Sequence, residues 1–85
     1  MNDADRRELI SLIDAFLGSS GSKKAIASEI EGLVLECFVD EPWYDSTIES
    51  LSLFVPGGSS PYVNEDELAK ELRPVRAALT ASPLG

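Results

Sequence analysis

The chain has no histidine and a single cysteine among its 85 residues. That removes most site chemistry at the outset. A Cys/His zinc cage, a Ser-His-Asp triad, a Cys-His pair and an internal disulfide are all excluded by residue count. Long apolar runs are missing too. None exceeds three residues, as in Leu33-Val34-Leu35, far below the ~18–20 residues that span a bilayer as a helix. The N-terminal stretch from Met1 to Arg7 turns from acidic to basic with no apolar segment behind it, so no secretory leader is expected. Basic residues are scarce as well: seven Lys and Arg stand against fifteen Asp and Glu, a net charge of −8. Such a charge opposes unaided binding to a phosphate backbone or to an anionic membrane face. With the lone Cys37 inside an apolar stripe, the chain reads as cytoplasmic.

What is present is an ordinary globular composition, 44% hydrophobic and 26% charged, in a length that holds one domain. Residues 1–80 are expected to form a single helical domain and 81–85 a frayed tail. The first helix is expected over roughly 3–17. Leu9, Ile10, Leu12, Ile13, Phe16 and Leu17 recur at helical spacing, Asn2 or Asp3 is available as cap, and Gly18 stands at the C′ position. The second is expected over 22–39. Ile26, Ile30, Leu33, Val34, Cys37 and Phe38 make one stripe over three turns, and Glu41-Pro42 stops it. Lys23 and Lys24 occupy its first turn, the end of the helix dipole that prefers negative charge. Leu35 points about 140° away from the stripe.

A third helix starts either at Pro42 or at the capping-box sequence Ser46-Thr47-Ile48-Glu49. It carries Tyr44, Ile48, Leu51 and Val55 and is over by Pro56. A stiffened Pro/Gly loop, Val55 to Val63, follows. Asn64 and Glu67 then form a capping box, Val63 and Leu68 a hydrophobic staple, and Leu68, Leu72, Val75 and Leu79 the buried stripe of a fourth helix. Pro74 predicts a kink or break near Arg73. The fold class is therefore all-α: a small four-helix bundle with the Pro/Gly loop before its last helix. The competing arrangement pairs 50–55 with Tyr62-Val63 as a hairpin.

Charge placement is the most informative feature. Between Lys24 and Lys70 no basic residue occurs, while Glu29, Glu31, Glu36, Asp40, Glu41, Asp45, Glu49, Glu65, Asp66 and Glu67 fall in that interval. Such a run either solvates a surface or forms a landing site for a basic protein. The candidate contact residues are Glu36, Asp40, Glu41, Trp43, Tyr44, Asp45 and Glu49. Trp43 and Tyr44 are read either as caps on the bundle core or as aromatic anchors in an acidic setting. No stretch has the ligand order of a calcium loop, and the Pro/Gly loop lacks the Lys-Ser/Thr ending of a phosphate loop. No catalytic residue, metal ligand or cofactor is expected.

Leu12-Ile13-Asp14-Ala15-Phe16-Leu17-Gly18, the segment from Glu29 to Phe38 and Asn64-Glu65-Asp66-Glu67-Leu68 together resemble the small bacterial immunity proteins of the colicin D type. The resemblance implies an acidic all-helical protein that plugs the active site of a cognate toxin ribonuclease. The Pro/Gly loop departs from it. Two functions are therefore carried forward. One is an immunity or antitoxin-like inhibitor that masks the basic cleft of a toxin nuclease. The other is a non-catalytic accessory subunit of a larger bacterial assembly.

Overall fold

In a computed structural model, which describes residues 3–18, 22–58 and 62–81, four helices follow one another: α1 (Asp3–Leu17), α2 (Lys23–Cys37), α3 (Tyr44–Ser52) and α4 (Glu65–Ala81). α1 packs on α2 and α4, and α3 packs on the same two helices from the other side. The core gathers Leu9, Ile13 and Phe16 from α1, Ile26, Ala27, Ile30 and Val34 from α2, Leu51 from α3, and Leu68, Leu72, Val75 and Leu79 from α4. Phe38, just past α2, closes one end. The all-α bundle and its α1 and α4 stripes are as the periodicity predicts. Of the expected frayed tail, 81–85, Ala81 is the last residue of α4, and 82–85 lie outside the described residues, as does the candidate cap Asn2.

The α2 stripe is rotated from its predicted phase. Ala27 is buried, whereas Leu33 and Cys37 are only partly covered. Ala27 and Leu33 lie about 120° apart on a helix. The stripe read from size alone favours the flank of Leu33 and Cys37. α3 packs on the opposite flank and draws the centre of burial toward Ala27 and Val34. Lys23, unfavourable for its own helix, serves α1 instead: its Nζ donates to the Phe16 carbonyl and lies 4.4 Å from the Phe16 ring centroid. A cation at the carboxyl end of α1 is well placed for that helix's dipole. Ser22 caps α2 by accepting from the Ala25 N–H at 3.3 Å. Gly18 does not take the left-handed C′ conformation. It has no positive φ, and its N–H continues the helical ladder to the Asp14 carbonyl at 2.8 Å.

α3 starts at neither expected place. Pro42 sits in a turn closed by the Tyr44 N–H donating to the Glu41 carbonyl at 3.0 Å, and Trp43 becomes the N-cap residue. The Ser46 capping box does not form. The Ser46 hydroxyl donates to Glu71 on α4 at 2.9 Å, and Ser50 reaches the other oxygen of the same carboxylate at 3.5 Å. The helix ends at Ser52, three residues early, because the chain beyond it joins a parallel bridge between Phe54 and Val63. The Val55 N–H donates to the Val63 carbonyl at 2.8 Å and the Val63 N–H to the Leu53 carbonyl at 2.9 Å. This single bridge replaces the hairpin alternative, and its parallel sense rules out a two-stranded antiparallel ribbon there. Val55 is accordingly exposed.

Val55-Pro56-Gly57-Gly58 has the geometry of a type II turn: Pro at the second position, Gly57 at φ +73°, and the Gly58 N–H on the Val55 carbonyl at 2.8 Å. The Gly57 N–H donates to Glu65 Oε1 at 2.7 Å, which ties this loop to the first residue of α4. The α4 capping box is reciprocal: the Glu67 N–H donates to Asn64 Oδ1 at 2.9 Å and the Asn64 N–H to Glu67 Oε1 at 3.1 Å. Pro74 does not break α4, which runs through it from Glu65 to Ala81. Pro74 is exposed, so the carbonyl it leaves without a helical donor lies on the water side, where its cost is smallest.

Thr47 is fully buried, and its hydroxyl has no hydrogen-bond partner. An unpaired buried hydroxyl costs about 1–3 kcal/mol. Thr47→Val is thus expected to leave stability unchanged or raise it. Leu72→Ala should cost about 2–5 kcal/mol, and Leu33→Ala, at a partly exposed position, clearly less. Urea unfolding of the three variants checks this order. Equal losses for Leu33 and Leu72 would restore the predicted α2 phase.

The Gly57 N–H, then the backbone N–H of Glu65 itself, hold the Glu65 carboxyl below its ordinary range. A depressed folded-state pKa stabilises the fold above the unfolded pKa, and this contribution is lost as pH falls through the folded one. Stability should therefore fall on acidification below about pH 4–5, where glutamates titrate, and Glu65→Gln should flatten part of that fall. A Glu65→Gln profile parallel to the parent would remove the loop tie.

Candidate functional site

The seven predicted contact residues lie at and around the α2–α3 connection. Asp40 and Glu41 are in the turn, Trp43 caps α3, Tyr44 opens it, and Asp45 and Glu49 follow on its outer side. Glu36 is exposed near the end of α2. Trp43 and Tyr44 are half-buried against the core, and the Trp43 ring packs on Phe38 with centroids 5.7 Å apart and planes tilted by 36°. Packing of this kind gives Trp43 a structural task. Its remaining exposed surface stands among Asp40, Glu41 and Asp45 in sequence.

Helical phase sorts the acids. Ser52 donates to Glu31 Oε2 at 3.3 Å, which identifies the flanks of α2 and α3 that face one another. Asp45 and Glu49 fall within about 20–60° of Ser52 around α3, so they border this seam. On α2, Glu29 and Glu36 share a flank, about 20° apart, that lies some 140–160° from Glu31. The acids thus wrap the α2–α3 turn and both of its helix flanks rather than forming one strip. Glu31, one of the ten acids of the interval, is not among the predicted contact residues. Its role at the seam becomes legible only when the partner helix is in place.

Along that seam a cavity of about 170 Å³ opens to the surface, lined by Lys24, Ala27, Ser28, Glu31, Leu51 and Phe54. Ala27, Leu51 and Phe54 make its apolar floor, while Lys24, Ser28 and Glu31 carry the polar edge. Nearby in sequence, Leu35, Leu53 and Val55 are exposed. Both ion pairs found among the described residues, Arg6–Asp3 and Arg76–Asp14, lie outside the acidic interval; the second ties α1 to α4 with Nε 2.5 Å from Oδ1. Among the described residues, no group of three or more His, Cys, Asp and Glu side chains gathers to hold a metal, and no helix is long and apolar enough to cross a membrane. Partial burial, then Asp5 and Glu36, push the Cys37 thiol above its ordinary range. That is the opposite of an activated nucleophile.

Compared with protein-family models, with curated proteins and with solved structures, the chain matches none.

Trp43 is the contact residue whose packing is most fully defined. Trp43→Ala should cost about 1–2 kcal/mol, less than a fully buried aromatic because only part of the indole leaves water. Chemical unfolding checks the value, and an unchanged midpoint would make Trp43 purely a surface group.

Proposed function

We propose that this chain is an acidic protein-binding module, an immunity or antitoxin-like inhibitor that masks a basic cleft of a cognate toxin nuclease. The observation that supports the reading is the placement of charge. Ten acids occupy residues 25–69 with no basic residue among them, and the described ion pairs fall elsewhere. Like charge left uncompensated over half a small domain opposes folding. A basic partner offsets that repulsion and is drawn in by the same field. In this reading Glu36, Asp40, Glu41, Asp45 and Glu49 meet the basic surface, and the exposed parts of Trp43 and Tyr44 anchor it. The module acts by occupying a site, without catalysis and without a cofactor. It meets its partner in the bacterial cytoplasm and binds neither nucleic acid nor membrane directly.

A second reading, a non-catalytic accessory or structural subunit, draws on Leu35 and Val39, which are 47% and 54% exposed at the end of α2. The two readings part on salt. An inhibitor steered by charge associates more slowly as ionic strength rises, whereas a subunit held by apolar contact does not.

Changing Glu36, Asp40, Asp45 and Glu49 to their amides should leave the helical spectrum intact and slow association with a basic nuclease domain encoded beside this chain by one to three decades, the order lost when steering is removed. Stopped-flow association at low and high salt measures it. A rate indifferent to both salt and the four changes would defeat the electrostatic reading.

A further inference from the structure

The cavity at the α2–α3 seam has a shape and setting that charge alone does not require. Its floor is apolar, formed by Ala27, Leu51 and Phe54, and its volume of about 170 Å³ suits one apolar side chain. Its polar edge, carried by α2, changes sign along its length. Lys24 stands about two turns before Glu31 on α2, and the flank beyond Glu31 belongs to Asp45 and Glu49 across the seam. The bond from Ser52 to Glu31 holds the acidic end in place.

We infer that this groove receives a single branched aliphatic or aromatic side chain from a basic partner segment, with the partner's Lys or Arg residues lying toward Glu31, Asp45 and Glu49. The inference rests on the binding reading above and specifies where the apolar part of that contact is made. Charge complementarity selects the occupant. With Lys24 at one end and three carboxylates toward the other, a segment whose cations follow its apolar residue is favoured in one direction along the groove. A second copy of this chain is disfavoured, since it would bring −8 against −8. Seating one large apolar side chain supplies affinity that salt does not screen, about 10- to 100-fold.

Ser28 gives the test. It lines the cavity yet is exposed, so Ser28→Phe fills the groove without disturbing the buried core. Two synthetic peptides serve as probes: an amphipathic helix of leucine and lysine, and the same sequence with serine in place of leucine. Calorimetry should show the leucine peptide binding about 10- to 100-fold more tightly. Amide shifts should centre on Ser28, Glu31, Leu51 and Phe54, and Ser28→Phe should abolish the preference while Ser28→Ala keeps it. Equal affinity for the two peptides, with binding that falls as salt rises, would overturn the groove assignment and leave the acidic-face reading intact. A leucine preference that survives Ser28→Phe would also overturn it. Binding of neither peptide would remove both.

Discussion

Phe16 is the side chain on which the arrangement of the other elements depends. It is fully buried at the carboxyl end of α1. Its carbonyl accepts from Lys23 at the start of α2, and its ring lies under the same ammonium. Phe54, just beyond α3, meets that ring edge-on with centroids 5.5 Å apart, a favoured aromatic geometry. Phe54 is in turn the residue bridged to Val63, which packs against the core just before α4 begins. One aromatic ring therefore links the end of α1, the start of α2, the exit from α3 and the entry to α4. In a domain of this size, where little apolar surface is available, such a shared contact takes the place of a larger core.

That linkage also explains which parts of the structure were legible in the sequence. The spans and buried stripes of α1 and α4, though not the Gly18 end or the effect of Pro74, are legible because their signals are local: the Leu9–Ile13–Phe16 and Leu68–Leu72–Val75–Leu79 spacings, and a capping box at Asn64 and Glu67 that satisfies its own backbone donors. Errors fell where a distant group overrode a local preference. Ser46 looked like a cap, but Glu71, 25 residues away, accepts its hydroxyl. Val55 looked helical, but Val63 accepts its N–H. Leu33 outranks Ala27 in size, yet the position of α3 decides which of them is covered. Lys23 violates the dipole rule for α2 and obeys it for α1.

The same distinction applies to the site. That the acids are numerous and unbalanced was legible, because it needs only the order of charges. How they divide was not. Glu31 joins Asp45 and Glu49 through the orientation of Ser52, while Glu29 and Glu36 turn to another flank. The cavity was equally invisible, since it is formed by Ala27 and Ser28 from one helix and by Leu51 and Phe54 from a region whose helix ends earlier than its pattern suggests. Small residues on α2 and the early end of α3 together leave space that larger ones would fill.

Charge and apolar surface then have separable consequences for binding. Exposed carboxylates act at a distance of about one Debye length, ~8–10 Å at moderate salt, and so affect how fast a basic partner arrives. A groove acts only on contact, through water removed from apolar surface, and so affects how long the partner stays. A chain with only the acidic interval would attract basic proteins quickly and release them quickly. A chain with only the groove would show little selectivity for charge. Here three of the acids, Glu31, Asp45 and Glu49, border the α2–α3 seam that holds the groove, and Glu31 lines the groove itself. In the proposed function that residue is where steering passes into retention. An inhibitor needs both, because a toxin must be caught before it acts and held afterwards.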